Sequence, residues 1–373
     1  MITKNKVFAA VCSSGLALAL VGVGATSAAA ATDPIAGWTL RQMVGATFMV
    51  GAPAEGISEE TIALLKERHA GGIFLHGRST EGVEAVANQV AAYRDAKTIP
   101  SKLLVSTDQE GGNVQVLKGP GFSVIPSGAA QSHTTTIGLE SETWGLELRA
   151  AGINVNLAPV MDLIDPHRDA RSNEPIGYWD RQYGRNSATI QAKAGAFARG
   201  MQRADIIPVI KHFPGIGRVR DNPDLHANVT DWVTTPDDVA VRTFTQAADR
   251  LSNHNPQPWV MMSTVIYNKI DPGTPAAFSP EIVKLVRDSG FNGVITTDDL
   301  SQAEQVQAWT PEQRAIRSIE AGVDMVLFSA KIDDVPAAMD AVFRRAQTVP
   351  AFRARVEEAA RRVATAAAAL PVD

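Results

Sequence analysis

Residues able to do acid–base chemistry follow a short apolar segment near the middle of the chain. The run Ile206–Ile210 predicts a buried strand, and it leads directly into Lys211 and His212. The glycine-containing loop that follows carries Asp224 and, two residues later, His226. An imidazole with an ordinary pKa of about 6.5, oriented by a carboxylate, suits proton transfer near neutral pH. This pattern is typical of the rim of an active site.

Two other apolar segments also end in polar residues. Leu103–Ser106 precedes Asp108, and Gly293–Thr296 precedes Asp298 and Asp299. A carboxylate held at a strand end can attack an electrophilic carbon if a second group protonates the leaving oxygen and later activates water. That is the scheme of retaining glycosidases, in which the second group is most often another carboxylic acid. Here the Asp–His pair of the loop could form a dyad that takes this role.

Metal catalysis and nucleic-acid binding are disfavoured by the same sequence. The histidines form no His-x-His pair, and the carboxylates are spread over different predicted strands, so we expect no metal site. The single cysteine, Cys12, lies in the N-terminal apolar segment. The formal net charge is −5 and no basic run of the kind that tracks phosphates is present, so we expect no nucleic-acid partner.

Eight short apolar or β-branched runs bounded by turn residues predict buried strands. They are Ala46–Val50, Gly72–Leu75, Leu103–Ser106, Ile153–Pro159, Ile206–Ile210, Trp259–Ser263, Val294–Thr297 and Asp324–Phe328. Amphipathic helix patterns lie between them, among them Glu59–His69, Val83–Ala96, Ser187–Ala204, Pro236–Leu251, Pro280–Ser289 and Pro311–Ala321. This alternation implies a parallel sheet covered on both faces, and eight repeats favour closure into a single-domain (β/α)8 barrel of the TIM type.

An open, doubly wound sheet is the alternative fold. It would require a glycine-rich phosphate turn after the first strand, and Gly51–Gly56 lacks the necessary spacing. The alanine- and arginine-rich run Phe352–Leu370 predicts a closing helix packed on the barrel. In such a barrel the C-terminal strand ends share one catalytic face, where the candidate residues should meet.

The N-terminal segment has the composition of a secretory signal peptide. Lys4 and Lys6 precede the uncharged stretch Val7–Ala31, which ends in small residues. We therefore predict a signal peptide over residues 1–31 and a catalytic barrel over residues 32–373, secreted or associated with the cell envelope. An uncleaved membrane anchor is the alternative, because the stretch is long enough to span a bilayer. After cleavage we expect no integral membrane association.

Five motifs occur in order along nearly the whole mature chain. They are Asp108–Gly112, Ala158–Asp162, Lys211–Gly215, Ala276–Ser279 and Gly293–Leu300. Together they resemble the motifs of glycoside hydrolase family 3, and most closely its single-barrel, NagZ-like β-N-acetylglucosaminidase branch.

The resemblance implies roles for seven residues. Asp298 would be the nucleophile, and Asp224 with His226 would be the acid/base dyad. The residues that would bind the sugar hydroxyls are Asp108, Arg181, Lys211 and His212. The resemblance also implies a covalent glycosyl-enzyme intermediate, net retention of configuration, and neither a metal nor a cofactor.

The chain departs from the family pattern at several positions. Ile216 replaces the second histidine of the usual Lys-His-Phe-Pro-Gly-His-Gly motif, and the Asp–His pair lies slightly further from the lysine than is usual. Asn113, Thr264 and Gln302 stand where an arginine, a histidine and a methionine are common.

The site residues also have structural interpretations. Asp298 could cap the helix that follows the seventh strand, a role that Asp299 fits as well. Lys211 and His212 could form an ion-pair and hydrogen-bond network inside the barrel mouth. His226 could be a solvated loop histidine.

Three functions are consistent with these observations. The first is a secreted, retaining β-N-acetylhexosaminidase that acts on terminal β-linked GlcNAc of peptidoglycan fragments or chitin oligomers. The second is a β-glucosidase-like glycosidase of the same family. The third is a catalytically weak barrel that binds cell-wall glycan, which would follow if the dyad loop no longer meets the sugar. In each case we expect a carbohydrate ligand and a monomeric protein.

Overall fold

Eight parallel strands close into a barrel in the computed structural model, which describes residues 33–371. In chain order the strands are β1 (Phe48–Pro53), β2 (Gly72–His76), β3 (Leu104–Thr107), β4 (Val155–Asn156), β5 (Ile207–Phe213), β6 (Trp259–Met262), β7 (Ile295–Asp299) and β8 (Met325–Phe328). Each pairs with its neighbour in the chain, and β1 closes the ring by pairing with β8. The predicted (β/α)8 barrel is confirmed, whereas the predicted signal peptide lies outside the described residues.

Helices surround this barrel. They are α1 (Leu40–Ala46), α2 (Glu59–Glu67), α3 (Val83–Ala96), α4 (Gly128–Gln131), α5 (Ile137–Ala150), α6 (Ser187–Arg203), α7 (Val239–Ser252), α8 (Pro280–Asp288), α9 (Pro311–Ala321), α10 (Val335–Thr348) and α11 (Pro350–Ala368). The helices predicted from periodicity are all present. Most of them begin where a side-chain oxygen accepts an otherwise unpaired N–H group, as Ser58 does before α2 and Thr310 before α9.

Short strands and 3-10 turns complete the chain within the loops. The strands are Gln109–Gly111 paired with Val114–Gln115, and Thr230–Asp231, Ile266–Tyr267 and Asp271–Pro275 in a three-stranded sheet. The 3-10 turns are Ala170–Ser172, Gly177–Trp179, Ala276–Phe278 and Glu304–Val306. Most of these pieces lie in connections that follow barrel strands, so they shape the catalytic face.

The barrel interior and the last helix form one buried apolar cluster. Alternate strand residues such as Met49 and Trp259 belong to it, together with Val363 of α11. The residues next to them in the strands, such as Phe48 and Val50, pack in a separate cluster with the outer helices. Both faces of the strands are therefore buried, as a parallel sheet requires. The predicted closing helix is confirmed, and it covers the end of the barrel where the strands begin.

Most strands end at a different residue from the predicted one, and three of these differences concern segments that lead into the site. The fifth continues beyond Ile210 and includes Lys211 and His212, and the seventh includes Asp298. The fourth is shorter than predicted and covers only Val155–Asn156. The candidate side chains are consequently held by strand backbone rather than by flexible loop.

Asp324 joins α8 and α11 to the start of β8 through a buried charge cluster. Its carboxylate is fully buried and accepts hydrogen bonds from Ile295 N at 2.9 Å and from Arg362 Nη1 at 3.1 Å. Arg287 and Arg355 also donate to it. One buried anion therefore contacts three guanidinium groups at the covered end of the barrel, two of which also pair with Glu358.

Asp324→Ala should destabilise the protein by roughly 3–5 kcal/mol, because it removes the buried carboxylate that pairs with Arg287 and one of the two carboxylates that pair with Arg355 and Arg362, the other being Glu358. Urea denaturation measures this loss. The matched control is Asp340→Ala, since Asp340 pairs with Arg41 and Arg68 at the surface and should cost about 1 kcal/mol or less. Equal losses for the two variants would contradict the role assigned to Asp324.

Candidate active site

An open cleft of about 470 Å³ lies at the end of the barrel where the strands finish. The predicted site residues that line it are Asp108, Arg181, Lys211, His212, Asp224 and Asp298. His226 is not among the described residues that line the cleft. The barrel thus brings together side chains from the ends of β3, β5 and β7 and from two long loops, as its geometry predicts.

Asp298 and Asp299 have different surroundings although they are adjacent at the end of β7. Asp299 accepts hydrogen bonds from the backbone N–H groups of Ser301, Gln302 and Ser329, at 2.9, 2.7 and 2.8 Å. Asp298 accepts one from the N–H of Asp299 at 2.9 Å, and its side chain is 23% exposed in the cleft. Neither aspartate caps the helix that follows β7, since the residue before the Glu304–Val306 turn is Ala303 and α9 is capped by Thr310. Asp299 is occupied by backbone N–H groups, and the Asp298 carboxylate faces the space where a ligand would bind.

His212 is oriented by the buried carboxylate of Asp162. Its Nδ1 lies 2.7 Å from Asp162 Oδ2, and the same carboxylate accepts from the N–H of Ile216 at 2.8 Å. Because an ionised carboxylate can only accept, the ring proton on that side is on Nδ1. The other ring nitrogen, Nε2, lies 4.0 Å from Asp298 Oδ2 and 3.5 Å from Arg181 Nη2. His212 thus presents a fixed nitrogen to the cleft beside Asp298.

A buried ion network holds the remaining cations. The Nζ atom of Lys211, whose side chain is 3% exposed, lies 2.6 Å from Asp108 Oδ1 and 2.6 Å from Glu110 Oε1. Arg181 makes a two-pronged contact with Glu110, at 3.0 Å through Nε and 2.7 Å through Nη2. The predicted ion-pair network in the barrel mouth is therefore present, and it places the same side chains in the cleft lining.

The charges in this network stabilise one another. Burial by itself raises the pKa of Glu110, but the charges and hydrogen bonds of Arg181 and Lys211 outweigh it and lower the pKa to about 2. Burial also favours neutral Lys211, yet Asp108 and Glu110 hold its pKa above the ordinary value. Glu110 and Lys211 are consequently charged at neutral pH, and their geometry is fixed by electrostatic attraction.

Asp224 has the opposite electrostatic environment. Solvent reaches its side chain, but the walls of the cleft displace much of the surrounding water. This desolvation, together with the negative charges of Asp298 and Asp299, raises the pKa of Asp224 to about 7 despite the opposing charges of Arg181 and His212. The pKa values of these two carboxyl groups are therefore driven apart, so that Glu110 is ionised and Asp224 is able to hold a proton near neutral pH.

His226 points to a different partner from the one expected. Its Nε2 lies 3.6 Å from Glu174 Oε2, and its side chain is 51% exposed. The same Glu174 oxygen accepts from the N–H of Asn222 at 2.9 Å. The structure thus places Asp224 in the cleft and His226 beside Glu174.

The loop that carries both residues is anchored to the segment after β7. The N–H of Glu304 donates to Asp224 O at 3.1 Å, and that of Gln305 donates to Pro223 O at 3.0 Å. The side chain of Gln305 also accepts from Val229 N at 2.7 Å. Asp224 is thereby attached to the chain segment that directly follows Asp298.

Three carboxylates of this site were given no role from the sequence. Asp162 and Glu110 lie in the motifs Ala158–Asp162 and Asp108–Gly112, so a sequence signal for them was present. Glu174 lies in the long loop after β4, far from His226 in the chain, and no local pattern indicates their contact.

The sequence model of a known protein family matches most of this chain. The model described as "Glycosyl hydrolase family 3 N terminal domain" matches residues 39–366. The chain belongs to glycosyl hydrolase family 3. The resemblance of its motifs is therefore confirmed, and the chain is a glycoside hydrolase.

Individual relatives of this family 3 hydrolase agree. The solved structure of a β-N-acetylhexosaminidase from Beutenbergia cavernae is 47% identical and covers 88% of this chain and 98% of its own, with a TM-score of 0.86. A β-hexosaminidase from Idiomarina loihiensis is 31% identical over 300 residues, which are 76% of this chain and 83% of that protein. The β-hexosaminidase LpqI of Mycobacterium tuberculosis is 30% identical over 321 residues, 81% of this chain and 77% of its own length.

The described part of this family 3 hydrolase contains neither a metal-binding cluster nor a membrane-spanning helix. Within residues 33–371, no group of three or more His, Cys, Asp or Glu side chains is placed to hold a metal ion. No helix in that range is both long enough and apolar enough to cross a membrane.

Glu110→Gln should reduce the free energy of unfolding by about 3 kcal/mol, because it removes the buried anion shared by Lys211 and Arg181. Urea denaturation with a fluorescence readout measures the effect. Asp108→Asn is the control, because the Asp108 side chain is 26% exposed and Lys211 still contacts Glu110 in this variant. The loss of unfolding free energy should therefore be clearly smaller. If Glu110→Gln proved no more destabilising than Asp108→Asn, the central place of Glu110 in the network would be wrong.

Proposed function

We propose that this family 3 hydrolase is a secreted, retaining β-N-acetylhexosaminidase that removes terminal β-linked GlcNAc from peptidoglycan fragments or chitin oligomers. The activity is supported by the names of the Beutenbergia cavernae and Idiomarina loihiensis relatives. Secretion is supported by the signal-like N-terminal sequence and by a relative from Arthroderma benhamiae, 27% identical over 312 residues, whose name describes a secreted glycosyl hydrolase.

The observation that carries the proposal is the position of Asp298. It is a strand-end carboxylate that faces the cleft, while its neighbour Asp299 is occupied by backbone N–H groups. In the proposed reaction, a carboxylate oxygen of Asp298 attacks the anomeric carbon and forms a glycosyl ester, while the leaving oxygen takes a proton from the acid. The acid, now a base, then removes a proton from water, which attacks the same carbon and releases the sugar with net retention.

The polar side chains around Asp298 would hold the sugar hydroxyls. Lys211 has three N–H bonds, and two are directed to Asp108 and Glu110, which leaves one for a hydroxyl oxygen. Asp108 can accept a hydrogen bond from a sugar hydroxyl with its second carboxylate oxygen. His212 presents its Nε2 atom beside Asp298. These groups are preorganised by the ion network, so little reorganisation would be required when the substrate binds.

The acid/base role is assigned to the loop residues Asp224 and His226. Asp224 lies in the cleft near Asp298, in an environment that favours a proton or a neighbouring cation. We propose that His226 leaves its contact with Glu174 and contacts Asp224 when the substrate occupies the cleft, which would bring the dyad together. Closure of a loop on its substrate is a common step of this kind.

The proposed function is tested by hydrolysis of 4-nitrophenyl β-N-acetylglucosaminide against the matching β-glucoside. We expect turnover of the first, and its loss by more than about a thousandfold in Asp298→Ala, since the nucleophile is removed. Asp249→Ala, which removes an exposed carboxylate on α7, is the control and should keep full activity. Turnover of the glucoside alone would support the β-glucosidase alternative, and turnover of neither would support a glycan-binding barrel.

His226→Ala should impair hydrolysis according to the leaving group. Hydrolysis of an unactivated chitin oligomer should fall by at least roughly a hundredfold, because its leaving oxygen needs a proton. Substrates with activated leaving groups, such as 2,4-dinitrophenyl glycosides, need no proton donor and should be largely spared in their first step. Measured kcat/KM values on both substrate types decide the question, and equal losses would remove the acid role from His226.

A further inference from the structure

A second cavity, of about 350 Å³, shares a wall with the cleft. Ile216 and Asn222 line the cleft, whereas Arg218, Arg220 and Asp221 between them line the second cavity. A single loop segment therefore separates the two spaces. A ligand that extends out of the cleft over this segment would reach the second cavity.

An exposed indole lies at the second cavity. Trp232, which lines it, is 64% exposed, and the adjoining Val233 is also exposed. Large apolar side chains exposed side by side, next to a cavity, indicate a contact surface more than chance exposure does. The indole has a broad apolar face and a single N–H donor at its edge, which suits a ligand with both apolar and polar faces.

The backbone around Trp232 is fixed. The preceding strand Thr230–Asp231 pairs in parallel with Ile266–Tyr267. The buried carboxylate of Asp231 accepts from the N–H groups of Val233 and Thr234, at 2.7 and 2.8 Å. The indole therefore projects from a segment that is held on both sides, as a preorganised binding platform requires.

Two charged side chains of this cavity are available to a ligand. Arg168 is paired with Asp165, and Arg218 with Asp238, so these charges are already compensated. Within residues 33–371, by contrast, Arg220 and Asp221 show neither a side-chain hydrogen bond nor an ion pair, and both are exposed. A guanidinium that donates beside a carboxylate that accepts can bind hydroxyl and amide groups without favouring a net charge.

We propose that the second cavity binds the uncleaved sugars of an oligosaccharide whose terminal sugar occupies the cleft. This inference rests on the proposed function and specifies its substrate class: neutral β-linked amino-sugar chains of several units rather than single glycosides. One face of a β-linked pyranose consists mainly of C–H groups and would pack on the Trp232 indole. Its hydroxyl and acetamido groups would bind Arg220 and Asp221. These four elements, cavity, indole, donor and acceptor, are the usual components of a saccharide subsite.

The test is the ratio of kcat/KM for N-acetylchitotetraose to that for 4-nitrophenyl β-N-acetylglucosaminide in Trp232→Ala. We expect the ratio to fall by about tenfold, mainly through a higher KM for the oligomer, because one stacking surface is lost. In Trp232→Phe the ratio should stay close to that of the unmodified protein, since an aromatic face is kept. Trp179→Ala is the matched control: Trp179 is 43% exposed, packs against Tyr178 and lines neither cavity, so the ratio should not change.

An unchanged ratio in Trp232→Ala, or the same fall in Trp179→Ala, would overturn the inference. Failure of the proposed function is recognised separately, because the unmodified protein would then not hydrolyse the 4-nitrophenyl substrate. In that case calorimetric titration with N-acetylchitotetraose still decides the matter. Binding to the Asp298→Ala protein that weakens about tenfold on adding Trp232→Ala supports the second cavity, and binding that does not change refutes it.

Discussion

Closure of eight parallel strands is the constraint on which the rest of the structure depends. Since all strands point the same way, the residues at the ends of β3, β5 and β7 must meet at one face. The opposite end is sealed by α11 and by the arginines that surround Asp324. The covered end is thus closed by apolar packing and one ion cluster, whereas the open end carries the polar groups that line the cleft.

The polar groups at the open end are distinguished by their surroundings more than by their residue types. Glu110 stays ionised because two cations contact it, whereas Asp224 gains proton affinity from desolvation and from neighbouring carboxylates. Asp299 is occupied by three backbone N–H groups, and its neighbour Asp298 faces the cleft. Four carboxyl groups close together therefore differ in charge state and in accessibility, although all are of the same chemical type.

The loop between β5 and α7 connects this chemistry to the outer surface. It begins at the cleft with Ile216, forms the wall of the second cavity, returns to the cleft at Asp224 and ends beyond Trp232. Its backbone is attached to the segment after β7 by Glu304 and Gln305. One loop therefore carries residues of both the cleft and the second cavity.

The sequence alone determined the barrel and six of the residues that line its cleft, because strand and helix periodicity and strand-end polarity are local properties of the chain. It could not determine which partner each side chain takes. The contacts of His212 with Asp162 and of His226 with Glu174 join residues about fifty positions apart. Lys211, at the end of β5, likewise pairs with Asp108, which follows β3. Tertiary structure decided these features, since burial and Coulomb energy depend on distances in space that no local pattern encodes.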